Sequence, residues 1–202
     1  RCCHIHVSNP YSEMTQEDVG FPTQMGRHTY EYLNQCIDEY KRKIKEQTEI
    51  LKRLSFEDSL TGLFNRNKFN QTMQSFEMAS FSQLGVACID LNGLKKVNDQ
   101  MGHSAGDSLI RCTAGHISRE FPGKSYRIGG DEFLVIDTEL EESAFRKTIS
   151  DVQANMAQAG ISVSIGISWR CNRCNIKEQF DEADRLMYRA KAEFYSSYYN
   201  DR

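Results

Sequence analysis

The chain has 202 residues and carries 25 Lys and Arg against 28 Asp and Glu, a formal net charge of −3. Hydrophobic residues make up 39% and charged residues 26%, which predicts one packed domain with a short accessory segment and excludes wholesale disorder. Nucleic acid and anionic membrane surfaces are not expected as main partners, because positive charge is not clustered. A bilayer-spanning helix is not predicted, because the sequence has no run of about 20 apolar residues.

Residues 1–28 are predicted to be the tail of an upstream module or a linker. A strand-like run at 3–7 is followed by turn-forming Pro and Gly residues between positions 10 and 26. The chain begins without Met, which favours a piece of a longer protein. We therefore expect an upstream sensor module in the full-length protein. This region is expected to lie in the cytoplasm, and a membrane anchor in the upstream part is one possible arrangement.

Residues 29–54 are predicted to form a coiled-coil signalling helix, because large side chains recur at intervals of three and four residues. The a and d positions are Tyr30, Leu33, Ile37, Tyr40, Ile44, Gln47, Leu51 and Leu54. The narrow stripe between charged faces favours pairing with a second helix in a parallel dimer. The alternative is a single amphipathic helix that lies on its own domain.

Residues 55–202 are predicted to form the catalytic domain, in which helical and strand periods alternate. The predicted elements are a helix at 66–79, a strand at 84–91, a helix at 105–120, a hairpin at 125–137, a helix at 141–158, a strand at 161–169 and a helix at 178–198. This βαββαβ order predicts an α+β fold with a mainly antiparallel, ferredoxin-like sheet covered by helices.

Three acidic residues fall where two of these strands are expected to be neighbours. Asp90 ends the first strand, while Asp131 and Glu132 adjoin the Gly-Gly turn of the hairpin. Carboxylate oxygens are the ligands that Mg²⁺ prefers, often together with substrate phosphates. The pattern predicts a metal site here; the alternative for Asp131 and Glu132 is that they are solvated turn residues.

The seven cysteines fit a reducing cytoplasm. Cys88 in a strand and Cys112 in a helix are predicted to be small buried hydrophobes. Cys171 and Cys174 have the spacing of metal ligands, but they would make a zinc site only with the Cys and His residues at 2–6. Zinc is the less favoured interpretation.

Five segments, in this order and spacing, resemble the GGDEF family of diguanylate cyclases. They are 58–66 (DSLTGLFNR), 90–107 (DLNGLKKVNDQMGHSAGD), 127–133 (RIGGDEF), 164–167 (SIGI) and 183–191 (ADRLMYRAK). The resemblance covers residues 55 to about 195 and implies a fold similar to nucleotidyl cyclases. It also implies that a homodimer joins two GTP into cyclic di-GMP and releases pyrophosphate.

The resemblance further implies roles for individual residues. Asp90, the backbone carbonyl of Leu91, and Asp131 would hold Mg²⁺, with Mn²⁺ as an alternative, and Asp131 or Glu132 would help to deprotonate the attacking hydroxyl. The remaining positions would bind the nucleotide. Asn98 and Asp107 would read the guanine base, Lys95 and Lys191 would bind the triphosphate, and His103 would lie beside the nucleotide. Either lysine taken singly could instead be a surface charge, and His103 could be structural.

The chain departs from the family pattern in four places. Asn92 and Leu94 replace the usual Asp and Phe, and Phe-Tyr at 194–195 replaces Gly-Arg, which leaves the phosphate grip of the last helix to Lys191. Glu120 and Gly123 stand where the product-inhibition site of many members has Arg and Asp. We therefore expect no tight product inhibition through that site.

Two other functions are compatible with this pattern. One is a catalytically silent module that binds GTP or acts as a scaffold, although such members usually lose signature acids, which this chain keeps. The other is a cyclase that makes an adenine-containing dinucleotide, which Asp107 disfavours because its carboxylate accepts from guanine N1–H and the exocyclic amine.

Overall fold

The computed structural model describes the backbone of residues 24–200 and the side chains of residues 28–196. Its elements are α1 Gln24–Phe56, α2 Arg66–Glu77, β1 Gln83–Leu91, α3 Leu94–Met101, α4 His103–Glu120, β2 Ser125–Arg127, β3 Glu132–Asp137, α5 Glu142–Gln158, β4 Val163–Cys171 and α6 Ile176–Asn200. The chain divides after Ile50 into two compact units. None of the helices between residues 24 and 200 has the length and apolarity needed to cross a bilayer.

The second unit is built on one four-stranded sheet in the order β2-β3-β1-β4. Every adjacent pair of strands is antiparallel. β1 lies in the centre because its run of apolar residues is buried on both faces from Leu84 onward. The predicted α+β fold with a ferredoxin-like strand order is therefore confirmed.

Alternate residues of the strands feed two hydrophobic cores, one on each face of the sheet. Ala87, Ile89 and Phe133 pack with residues of α4 and α5 on one face. Val86 and Leu134 pack on the other face with residues of α2 and α6. Helices thus cover both faces of the sheet. The polar residues at the C-terminal end of β1 and at the β2–β3 turn lie at the same end of the strands.

A glycine lets α6 approach the sheet closely. A Cβ at Gly166 in β4 would collide with the backbone of α6 at Ala183 and Met187. Because α6 is held this close to the sheet, side chains further along it, such as Lys191, reach the end of β1.

Two details of the fold differ from the sequence-based predictions. The short helix α3 was not predicted; it has eight residues, buries none of them completely, and is separated from α4 by Gly102 with a φ of 83°. Cys112 is exposed on α4, so the prediction that it is buried is wrong, whereas Cys88 is buried as predicted. Cys112 lies on the solvent-facing side of α4. The spacing of apolar residues in this helix did not show whether a residue as small as Cys faces the core or the solvent.

The first unit contains most of α1. Large apolar side chains of the predicted stripe are exposed along this helix: Leu33, Ile37, Tyr40, Ile44, Leu51 and Leu54 have between 40% and 75% of their surface accessible. The helix therefore presents a row of apolar side chains of the kind that a second helix covers in a coiled coil.

The predicted strand at 3–7 and the Cys and His residues at 2–6 lie outside the described residues. Cys171 and Cys174, at the end of β4 and in the connection to α6, are free thiols.

Candidate active site

The end of β1 and the turn between β2 and β3 are held side by side. Asp90 lies opposite Glu132 in the antiparallel register, and the N–H of Leu91 donates to the carbonyl of Asp131 at 3.0 Å. The structure therefore confirms that these strand ends are neighbours.

Asp90 is buried, with only 2% of its surface exposed. Its Oδ2 accepts a hydrogen bond from Nζ of Lys191 at 2.7 Å, while its Oδ1 is buried without a hydrogen-bond partner among the described residues. Burial raises the pKa of Asp90 and the nearby acids Asp131 and Glu132 raise it further, whereas the bond from Lys191 lowers it. The ammonium of Lys191 is thus a cation that lies against one oxygen of this buried carboxylate, while the other oxygen has no partner among the described residues.

The carboxylate of Glu132 makes its contacts with Gly129 and Arg66 and not with Lys191. Its carboxylate folds over Gly129, where a Cβ would collide with it, and approaches the guanidinium of Arg66 at 3.9 Å. Arg66 is fixed in turn because its Nε donates to the carbonyl of Ile128 at 2.6 Å. No three acidic, His or Cys side chains between residues 28 and 196 converge as metal ligands, so the predicted three-carboxylate cluster is not formed.

The residues at the end of β1 nevertheless fit a hard divalent cation. The unpartnered Oδ1 of Asp90 is a buried anionic oxygen, Leu91 follows Asp90 in the chain, and the half-buried Asp131 is hydrogen-bonded to Leu91 through its backbone carbonyl. A set of two carboxylates and a backbone carbonyl suits Mg²⁺ completed by water and substrate phosphate.

The predicted base-reading residues Asn98 and Asp107 lie on α3 and α4, two helices that pack against each other at Gly106. Gly106 has no side chain, and the amide oxygen of Asn98 occupies the place that a Cβ at this position would fill. Asp107 follows directly, partly exposed in the first turns of α4. The two helices thereby bring Asn98 beside the backbone next to Asp107.

The remaining predicted nucleotide-binding residues lie at helix starts or on α6. Lys95 is exposed in the first turn of α3, and His103 is exposed as the first residue of α4. Of the predicted phosphate-binding lysines, Lys191 is the one that the structure places against Asp90.

Two departures from the family pattern have local explanations. Asn92 both donates from Nδ2 to Oγ of Ser162 at 3.1 Å and accepts from Oγ of Ser164 at 3.0 Å, so its amide satisfies both serine hydroxyls without adding a charge. The hydroxyl of Tyr195 accepts from the N–H of Gly93 at 3.4 Å. Tyr195 therefore contacts the connection between β1 and α3.

Sequence reasoning missed the ion pair that fixes the hairpin turn. Nη1 of Arg127 lies 3.0 and 3.2 Å from the two carboxylate oxygens of Asp58, and Nη2 donates to the carbonyl of Gly130 at 2.8 Å. Both residues belong to the motifs quoted above, but motifs do not say which of their members pair. Asp58 thereby supports the turn that carries Asp131.

This ion pair should contribute measurably to stability. Burial alone would raise the pKa of Asp58, but hydrogen bonds from Thr61 and Arg127 lower it below its ordinary value. We expect a double-mutant cycle of Asp58→Ala and Arg127→Ala to give a coupling of about 1.5–3 kcal/mol in urea unfolding at neutral pH. The contribution is present above the ordinary carboxyl pKa and is lost as the pH falls through the lowered value.

The exposed i,i+4 pair Lys147 and Asp151 on α5 is the matched control. The same cycle on this pair should give about 0.5 kcal/mol or less, because solvent screens it. Equal couplings for the two pairs would contradict the structural role of Asp58 and Arg127.

The family model described as "Diguanylate cyclase, GGDEF domain" matches residues 55–195. The chain is 31% identical over 146 residues to the diguanylate cyclase DgcS of Shewanella oneidensis, which covers 67% of this chain and 49% of that protein. It is 32% identical over 163 residues to the cyclic di-GMP phosphodiesterase PdeR of Escherichia coli, which covers 75% of this chain and 24% of that protein. The chain thus spans half or less of the length of these relatives.

Among solved structures, the coiled coil and GGDEF domain of DgcB from Caulobacter crescentus, in complex with c-di-GMP, has a TM-score of 0.69 to this chain. The identity is 24%, and the match covers 82% of this chain and 95% of that one. This likeness is one of fold.

Proposed function

The chain belongs to the GGDEF domain family of diguanylate cyclases, and on that premise we propose that it condenses two GTP into cyclic di-GMP. In each half-reaction the 3′-oxygen of one GTP bonds to the α-phosphorus of the other, the bond to pyrophosphate breaks, and the hydroxyl loses its proton. The observation that carries the proposal is the buried carboxylate of Asp90, which has an unpartnered oxygen beside the turn that bears Asp131.

The acids at the end of β1 take the metal and proton roles in this proposal. Asp90, the carbonyl of Leu91, and Asp131 would hold Mg²⁺, for which Mn²⁺ could substitute; when bound, such an ion stabilises the negative charge on the phosphates and lowers the pKa of the attacking hydroxyl. Asp131 or Glu132 accepts the hydroxyl proton. Rotation of the Glu132 side chain away from Arg66 would be needed for Glu132 to do so.

The nucleotide itself is bound by residues of three helices. Asn98 and Asp107 read the guanine edge, Lys95 and Lys191 oppose the charge on the triphosphate, and His103 lies beside the nucleotide at the start of α4. The proposal assigns one GTP to each subunit, so that the reaction requires two subunits face to face.

Asp107 should decide which base is accepted. We expect Asp107→Ala to weaken binding of a GTP analogue by about 10-fold or more, because the variant loses the acceptor for N1–H and the exocyclic amine, and to leave binding of an ATP analogue unchanged. Fluorescent nucleotide titration measures both affinities. Ser104→Ala, an exposed change in the same turn, is the control, and an Asp107→Ala variant that keeps wild-type preference for GTP would contradict the assignment.

The exposed apolar row of α1 supports the proposal of a homodimer regulated through an N-terminal coiled coil. A second copy of this helix is the occupant that the heptad pattern favours, because both copies bring the same a and d residues to the seam. An upstream sensor module would act through this segment. We place the catalytic region in the cytoplasm, where GTP is supplied, with membrane anchoring of the full-length protein left as a prediction.

The second candidate function is a silent module that binds GTP without turning it over. The relative PdeR, which is named a phosphodiesterase, favours this alternative, as does the Phe-Tyr pair at 194–195. Retention of Asp90, Asp131, Glu132, Asn98 and Asp107 favours the enzyme. GTP binding without product in a dimeric preparation would identify the silent module.

A further inference from the structure

Lys191 and Asp90 form an ion pair, although the proposed function assigns the triphosphate to Lys191 and the metal ion to Asp90. Nζ of Lys191 lies 2.7 Å from Oδ2 of Asp90, so the ammonium contacts a carboxylate proposed to hold a metal ion. The same lysine is proposed to bind triphosphate. The pKa of Lys191 is raised, because the attraction of Asp90 and Asp131 outweighs the effect of burial.

The two members of the pair differ in their freedom to move. Asp90 is fixed in the central strand with 3% of its side chain exposed, whereas the side chain of Lys191 is 28% exposed on α6. The hydrogen bond between Gly93 and Tyr195, one turn beyond Lys191, holds α6 near this end of β1. If the ion pair breaks, Lys191 is therefore the residue that moves, because its four-carbon side chain is flexible.

A divalent cation and an ammonium compete for one buried carboxylate. Two cations within a few ångströms repel each other strongly where water is excluded, so a cation on Asp90 disfavours the position that Lys191 now holds. A triphosphate offers the displaced ammonium a new anionic partner. The cost of breaking the ion pair is then offset only when nucleotide is bound together with the metal.

We infer that Lys191 is a built-in counter-ion of Asp90 that couples metal binding to nucleotide binding. The metal alone binds weakly because it must displace the ammonium, and the nucleotide strengthens metal binding because its phosphates accept that ammonium. This inference rests on the proposed function and adds to it an order of affinities at the same site. By linkage, metal must strengthen nucleotide binding by the same factor.

The test is the affinity for Mn²⁺ alone, measured by electron paramagnetic resonance on the full chain. Lys191→Gln keeps a hydrogen-bond donor for Asp90 but removes the competing charge, and we expect it to bind Mn²⁺ about 5-fold more tightly or better, the lower end of ordinary coupling between two sites. Lys191→Arg keeps the charge and should retain wild-type affinity. Lys177→Gln, an exposed change on the same helix, should also leave the affinity unchanged.

The same variants distinguish coupling from simple phosphate binding. With a non-hydrolysable GTP analogue, wild-type affinity for Mn²⁺ should rise, and the rise should be smaller in Lys191→Gln. If Lys191→Gln binds Mn²⁺ alone no more tightly than wild type, the inference is overturned, since a lysine that only holds phosphate predicts that result. Absence of cyclic di-GMP with the Mn²⁺ pattern intact would instead contradict the proposed activity and leave the coupling standing.

Discussion

Replacing Asp90 with Asn should reduce the rate of cyclic di-GMP formation by about 10³-fold. The amide keeps the shape of the side chain but removes the only charge on this proposed metal ligand, and a loss of about 4 kcal/mol of transition-state stabilisation corresponds to that factor. The folded state should survive, because Asn is buried at lower cost than a carboxylate and Lys191 is exposed enough to be solvated. Rate and thermal midpoint are measured on the same preparation.

Asp151→Asn removes one negative charge from the exposed surface of α5, at a residue with no role in the proposed site, and serves as the control. It should keep the wild-type rate. An Asp90→Asn variant that is folded and retains more than about a tenth of the wild-type rate would contradict the role of Asp90 as a metal ligand, since loss of such a charge should cost more than the roughly 1.4 kcal/mol of a tenfold change.

Replacing Ile37 and Ile44 together with Lys should separate the subunits. Both side chains are exposed a positions of α1, at 40% and 61%, and lysine at these positions places like charges at the seam of a parallel pair. A linked pair of catalytic domains meets at an effective concentration in the millimolar range. At about 10 μM chain the variant should therefore lose about 100-fold in rate per chain, and that rate should rise in proportion to concentration.

The control for this change is the double variant Ile37→Leu and Ile44→Leu, which keeps the stripe apolar. Light scattering should show a dimer for the control and a monomer for the lysine variant. A lysine variant that is monomeric yet turns over at the wild-type, concentration-independent rate would contradict the proposal that two chains are needed for each reaction.

The first strand and the hairpin could be predicted from the sequence because each depends on a local pattern of apolar and turn-forming residues. The apolar run at 84–91 predicted a buried strand, and the structure shows β1 buried from Leu84 onward. The Gly-Gly dipeptide between two apolar runs marked the hairpin. Asp90 and Asp131 could therefore be placed at one sheet edge before their contacts were known.

Contacts between distant segments could not be predicted in the same way. The partner of Arg127 is Asp58, 69 residues away, and no spacing rule selects it from the other acids. The orientation of Glu132 depends on Arg66, which also comes from another element. Helix α3 was missed because its eight residues make only about two turns, too short a run to establish a helical period from sequence, and the packing of Asn98 over Gly106 is what makes its place clear.

Incubation of the chain with GTP and Mg²⁺, followed by liquid chromatography, tests the central claim most directly. Asp131→Ala is run in parallel because it removes a proposed metal ligand without disturbing the core. We expect cyclic di-GMP and pyrophosphate from the intact chain and no product from the variant. An intact chain that binds GTP and dimerises but yields no cyclic di-GMP would contradict the claim.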